Sequence, residues 1–244
     1  MDLTSDLLVA LRRLSTCAVA DAIESFEVRL RNVGYADGSI RCCFPDLPPV
    51  VGVAVTARVR TAVPPMVGSG YADRSEWWTT LPSSSVPRIA VIEDVDHPAG
   101  AGAFVGGVHG SILRALGVVA VVTNGAVRDL PALERVGLQC FAGRIVPSHA
   151  YAHVFEVGVP VRVAGLDVSP GDLIHGDQHG IVTIPPQIAG RIPEAAAALD
   201  ARSSRLRALA ASPEFSLDRL RALLDSSEPT RSTAADSNEV STDE

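Results

Sequence analysis

Residues 106–129 read GGVHGSILRALGVVAVVTNGAVRD, and the fold follows from how this stretch divides. Gly106, Gly107 and Gly110 surround a short run leading into SILRAL, a helical segment, so backbone N–H groups lack intrahelical partners where that helix begins. Such a start attracts anions. VVAVVT at 118–123 is continuous, apolar and β-branched, the composition of a strand buried on both faces. Asn124-Gly125 reads as a sharp turn, after which Arg128 and Asp129 set a fixed cation and a carboxylate side by side at a strand's exit. In open α/β sheets ligands collect at the carboxyl ends of strands. Donor amides, a guanidinium and a metal-capable carboxylate together suit a small carboxylate and a divalent cation.

Outward from this stretch the chain alternates helix and strand. Leu7, Leu8, Leu11 and Leu14 have helical spacing, with Thr4 or Ser5 as cap, and a second helix is expected from Val19 to Phe26. Residues 50–63, VVGVAVTARVRTAV, read as a strand. A short helix carrying Trp77 and Trp78 should follow a turn, and PRIAVIEDV at 87–95 is a strand trailed by the acids Glu93, Asp94 and Asp96. HPAGAGAFVGG reads as a link. After Asp129, LPALERVG is a brief helix and LQCFAGRI a strand, and residues 153–184 form short strands separated by turns. The alanine-rich run 186–211 is helical, interrupted early by Pro193, and a last helix starts near Ser212-Pro213-Glu214. From Ser226 onward apolar periodicity ends and an acidic, disordered tail is expected.

Composition narrows the chemistry. All 21 basic residues are arginine, so no lysine Schiff base can form, which excludes lysine-dependent aldolase chemistry and covalent pyridoxal phosphate (PLP). For a carbon–carbon lyase built from this chain, an electrophilic metal is the obvious remaining electron sink, with Arg128 assisting. The net charge of −7 offers no general basic footprint for nucleic acid. No apolar run approaches the ~18 residues of a membrane span. With acids where a signal peptide carries bases, the N-terminus points to a cytoplasmic protein without a membrane partner. The cysteines 17, 42, 43 and 140 have no C-x-x-C spacing. Neither a P-loop nor a dinucleotide fingerprint is present, so NAD is not expected.

The run Gly125-Ala126-Val127-Arg128-Asp129, preceded by the glycine loop, helix and buried strand and followed by residues 147–185, resembles the RraA-like family. That family includes divalent-metal-dependent 4-hydroxy-4-methyl-2-oxoglutarate aldolases, also active as oxaloacetate decarboxylases, and non-catalytic regulators of an RNA-degrading enzyme. The resemblance implies an α/β class chain with a layered α/β/β sandwich of the swivelling phosphohistidine-domain kind and helical ends. A single domain would cover 1–226, its C-terminal helices within 186–226, with the tail at 227–244. It further implies a homotrimer or hexamer with sites between subunits and a small 2-oxo acid substrate. Arg128 would grip that substrate, Asp129 would hold Mg²⁺ or Mn²⁺, and Gly106, Gly107, Val108 and His109 would present backbone donors.

Two departures stand against the family pattern: Gly107 and Ala132 occupy positions where members commonly carry acids. Either Glu134, the Glu93-Asp94-Asp96 cluster or a neighbouring subunit then completes the metal's shell, or the metal is held weakly, or the substrate has shifted. His109 reads equally as a proton donor to an enolate or as a helix-start residue without a chemical task. His149/His153 and His175/His179 have zinc-like i, i+4 spacing, but both pairs fall in expected strand or turn, where that spacing separates the rings. A neighbouring Arg128-Asp129 pair after a turn also has a plain reading, a surface ion pair or helix cap.

Overall fold

The computed structural model describes residues 3–65, 74–79, 81 and 86–225; the acidic segment after Asp225 and the turn before residue 74 lie outside the described residues. The chain divides into two compact units, Met1–Ala196 and Ala197–Glu244. The first is a mixed α/β fold.

Its centre is four parallel strands: β2 (Val50–Arg60), β3 (Arg88–Asp94), β5 (Val118–Val127) and β6 (Gln139–Ile145), in the order β6-β5-β3-β2, with short β4 (Ala103–Val105) parallel to the end of β5. Antiparallel β10 (Leu173–Asp177) and β11 (Gly180–Ile184) extend the β2 side, β7 (His153–Val157) pairs with the far half of β2, and β1 (Arg41–Cys42) borders β6. The parallel strands read as unbroken apolar runs because both their faces are covered.

Side chains alternate between two cores. Ala90, Ile92 and Val121 point to the layer of α3 (Arg74–Thr79), α4 (Gly107–Ala115) and α5 (Leu130–Arg135), where Trp77, Leu113 and Leu133 lie. Ile89, Val91, Ala120 and Val122 face the hairpin β8 (Val161–Val163) and β9 (Leu166–Val168) together with Phe141, Ile174 and Ile181. Each fully buried valine or isoleucine here contributes roughly 1.5–3 kcal/mol.

The second core also curls the sheet. Phe141 on β6 reaches the backbone of Gly176 on β10, where an added Cβ would meet its ring at 2.9 Å, although three strands separate them in the sheet order. Residues 35–42 span the remaining gap, bridging β11 through Tyr35 and Val182 and β6 through β1. The sheet is therefore nearly closed. Helices α1 (Ser5–Arg12), capped by Thr4, and α2 (Thr16–Ser25), capped by Ser15, pack on it beside β2, β10 and β11.

Several local expectations are corrected. Asn124-Gly125 is not a turn: β5 continues to Val127 through a register shift between Thr123 and Ala126. The Asn124 amide explains this, since its Oδ1 accepts from Asp94 N–H and its Nδ2 donates to Asp94 O, at 2.8 and 2.9 Å, joining β5 to β3. The presumed link 97–107 contains β4. Pro193 does not interrupt a helix, because α6 (Ile192–Ala210) begins only one residue before it, where a missing N–H costs nothing.

In the second unit, α6 continues to Ala210 with an Arg207–Asp200 ion pair at 2.9 Å. α7 (Leu217–Asp225) is capped by Ser216 Oγ, which accepts from Arg219 N–H, rather than starting at Ser212. None of the described helices is long and apolar enough to cross a membrane.

Candidate functional site

The parallel strands deliver their carboxyl ends to one rim, and β4 and β5 end side by side there. Register pairs Val105 with Val127, and Arg128 N–H donates to Val105 O at 3.0 Å. The residues that follow each strand are consequently adjacent: Gly106-Gly107 after β4, Arg128-Asp129 after β5. A Cβ on Gly106 would meet Arg128 Cγ at 3.0 Å and Nε at 3.1 Å; one on Gly107 would meet Asp129 Oδ2 at 2.2 Å. The glycines are what let the two side chains lie against the start of α4.

Gly106 is the N-cap of α4 in extended conformation and makes no side-chain cap. The helix starts at Gly107, earlier than the SILRAL run suggests, so the amides of Gly107 and Val108 belong to its first turn and have no intrahelical acceptor. Val108 is 80% exposed at this point.

Asp129 caps the short α5 from a left-handed conformation, φ 58°, ψ 48°, yet its carboxylate makes no capping bond. An aspartate held in this sparsely populated region without using its side chain locally carries backbone strain of the kind found at functional sites. The carboxylate is exposed and has no hydrogen-bond or ion-pair partner among the described residues. Arg128 is half-buried and oriented by one bond, from Nη1 to Pro147 O at 2.9 Å, which leaves its other donors open. The surface-ion-pair reading therefore does not describe these two residues, and Asp129 stands at the cap position of α5 without using its carboxylate there.

Of the carboxylates considered as support for Asp129, those of the 93–96 cluster are occupied elsewhere. Asp94 is 1% exposed and accepts from Thr61 Oγ1, Gly100 N–H and Asp96 N–H. Asp96 accepts from Thr61 and Ala62 N–H at 2.7 and 2.8 Å and pairs with Arg60; burial opposes its ionisation, but these amides and the guanidinium prevail and hold its carboxyl below the usual range. Glu93 binds Arg58 at 3.0 Å. Among the described residues no group of three or more His, Cys, Asp or Glu could hold a metal ion. Gly107 and Ala132, the two departures from the family pattern, both lie against Asp129: a Cβ on Gly107 would also meet Ala132 Cβ at 2.7 Å. The acids absent from the sequence are thus absent from one place.

His109 is buried, at 6% exposure. Its Nε2 accepts from Trp78 Nε1–H at 3.1 Å, so the neutral ring carries its proton on Nδ1, which donates to Phe104 O at 3.1 Å. The rings of Trp77 and Phe104 stand edge-on to it. One nitrogen holds α3 against α4 and the other ties α4 to β4, a role with no local sequence signal on the α3 side because Trp78 is 31 residues away. Nor do the paired histidines converge on a metal. His175 is enclosed between Thr16 Oγ1 and Leu11 O, burial depressing its pKa, while His179 turns to Asp177. Pro147, the residue that orients Arg128, was beyond sequence reasoning because it acts through its carbonyl.

This rim defines an α/β protein with a guanidinium and an unpartnered carboxylate set at a helix start. The family profile described as RraA-like: Aldolase/RraA matches residues 16–183, and the chain belongs to that family. It is 35% identical over 75 residues to the 4-hydroxy-4-methyl-2-oxoglutarate aldolase of Thermus thermophilus, covering 30% of this chain and 46% of that protein. A Halalkalibacterium halodurans protein, whose name provisionally assigns the same aldolase activity, is 33% identical over 73 residues, 30% of this chain and 35% of its own. The chain spans about a third to a half of these two curated relatives. In fold it is similar to Streptomyces coelicolor RraAS2, described as an unusual member of the RNase ES inhibitor RraA protein family, with TM-score 0.61, 23% identity, and 83% and 94% of the two chains covered.

Proposed function

We propose that the chain is a divalent-cation-dependent carbon–carbon lyase acting on a small 2-oxo acid, cleaving a 4-hydroxy-4-methyl-2-oxoglutarate-type substrate, decarboxylating oxaloacetate, or both. The observation that carries this reading is the contact of Arg128 and Asp129 with Gly106 and Gly107 at the start of α4. Aldolase-named relatives support it.

A lone carboxylate fits Mg²⁺ or Mn²⁺ with water and substrate oxygens filling most of the shell, as such ions commonly are held. Asp129 would be the protein ligand. The bound ion would supply Lewis-acid polarisation of the keto oxygen. Arg128 takes the 2-oxo acid's carboxylate or keto oxygen through its open donors, and the amides of Gly107 and Val108 face the same anion. The C3–C4 bond breaks, its electron pair passes to C3, and the fragment that remains is the enolate of pyruvate. In the retro-aldol case the C4 hydroxyl proton goes to water as the carbonyl product forms; in the other, CO₂ leaves. Water then protonates C3. Arg128 stabilises the negative oxygen more in the enolate than in the ketone, which lowers the barrier. His109 contributes its place in the helix start, its ring being used in packing.

With one carboxylate on an open rim, this reading includes a homotrimer, alone or paired into a hexamer, in which a neighbouring copy completes the site. The layered α/β/β description of the swivelling-domain kind goes with it, supported by helices on one sheet face and β8–β9 on the other. The same lone carboxylate favours a second reading, a non-catalytic regulator that binds an RNA-degrading enzyme. Pyruvate release from oxaloacetate separates the two, measured above the metal-only background with Mg²⁺, with EDTA, and for Arg128→Ala and Asp129→Ala. Loss in all three impaired cases supports the lyase; turnover no faster than background in the unaltered protein overturns it.

A further inference from the structure

A cavity lies at the end of the parallel strands opposite the Arg128–Asp129 rim. It has a volume of about 230 Å³ and is walled by Leu47, Val50, Val51 and Val119, with Arg12 and Arg114 in its lining. Val50 opens β2 and Val119 lies at the start of β5, whereas Arg128 follows the end of β5. About eight strand residues, roughly 25 Å, separate the two places.

The charge in this cavity is unbalanced. None of its lining residues is acidic, and among the described residues neither Arg12 nor Arg114 forms an ion pair. Arg114 is half-buried and fixed by Nε to Val136 O at 3.0 Å and Nη1 to Val118 O at 3.1 Å. Arg12, on the exposed rim, is steadied by Nε to Pro49 O at 3.2 Å. Both guanidiniums are thus held by carbonyls that leave their net charge uncompensated. The one buried polar side chain of the lining, Gln139, is satisfied by Phe44 O and Cys140 N–H and asks for no partner.

We propose that this cavity is a second small-molecule site, and that it takes a compact monocarboxylate with an apolar body. The carboxylate pairs with the guanidinium edges, which match its geometry, and the hydrocarbon part lies on the aliphatic wall. Inorganic phosphate would meet the cations but gain nothing from four aliphatic side chains. A neutral hydrocarbon would leave the cations unanswered.

Benzoate is a suitable probe, with benzamide as its neutral counterpart, in calorimetric titrations of the full chain. Benzoate binds at least tenfold more tightly than benzamide. Arg12→Met weakens benzoate binding at least tenfold, and Val119→Phe, which fills the cavity from β5, removes it. Asp129→Asn leaves it unchanged, since that residue lies at the other rim. Melting curves accompany each variant; should Val119→Phe fail to fold, the rim substitution Arg12→Met carries the test. Equal affinity for the two probes, binding retained in Arg12→Met, or no benzoate binding at any soluble concentration overturns the proposal.

Discussion

Replacing Gly107 with alanine is a sharp test of the rim, because it adds one methyl group and removes nothing. The new Cβ would stand 2.2 Å from Asp129 Oδ2 and 2.7 Å from Ala132 Cβ, so the carboxylate must retreat by about 1 Å to reach ordinary contact. A displacement of that size at a reacting group costs about a hundredfold in rate. Stability moves little: alanine in a helix gains about 1 kcal/mol over glycine, against roughly 1–3 kcal/mol for overpacking. For a chain of this size the melting temperature falls by no more than about 8 °C. Gly110→Ala is the control. Its Cβ would meet Leu133 Cδ2 at 2.3 Å, one helical turn further from the rim, so it strains the α4–α5 contact without touching Asp129. Steady-state pyruvate release from oxaloacetate with Mg²⁺, beside thermal melts, reads both quantities. Gly107→Ala should lose turnover while remaining folded, and Gly110→Ala should lose stability while retaining turnover. Full activity in a folded Gly107→Ala protein would refute the reasoning, for Asp129 would then be free to move without consequence.

Asp94→Asn replaces an acceptor-only group that serves Thr61, Gly100 and Asp96, turning an NH₂ toward at least one donor; a loss of about 1–3 kcal/mol in urea unfolding is expected. Acid should destabilise the fold in two stages. His175 is depressed by burial, so its contribution is complete above the unfolded value of about 6.5 and declines as pH falls below it. Asp96 and Asp177 resist burial through amide and hydroxyl bonds that lower their pKa values, and their contribution is lost as pH falls through the carboxylate range, below about 4. Melting temperatures followed from pH 7 downward, with His175→Gln flattening the first stage, check both signs. Burial raises the Cys43 thiol to about 11 and lifts that of Cys140 well above its ordinary value, so iodoacetamide at neutral pH should spare both and label exposed Cys17 first, read by mass spectrometry.

How much of this was legible depended on whether the cause was local. β5 was plain from its β-branched run, and the pairing of glycines with Arg128-Asp129 followed from the order of loop, helix and strand. β4 is three residues inside a glycine-rich stretch and exists because β5 continues far enough to pair with it. Asn124-Gly125 has the composition of a turn, but the amide's two bonds to Asp94, 30 residues away, outweigh that preference. The acidic run 93–96 was visible as charge; its use by Arg58, Thr61 and Ala62 was not, because those partners come from β2 and the residues after it. His109 was seen, while its aromatic enclosure depended on Trp78 arriving from α3.

The short span at residues 35–42 leaves the curled sheet with little open border on either side of the join. Unpaired strand margins invite a foreign strand to add on, so this span serves as a guard against edge-to-edge aggregation as well as a connector. An inserted Gly-Ser stretch near residue 38, where an added Cβ meets nothing, would let the two margins part. The cost would appear first as aggregation on heating, before any loss at the distant rim.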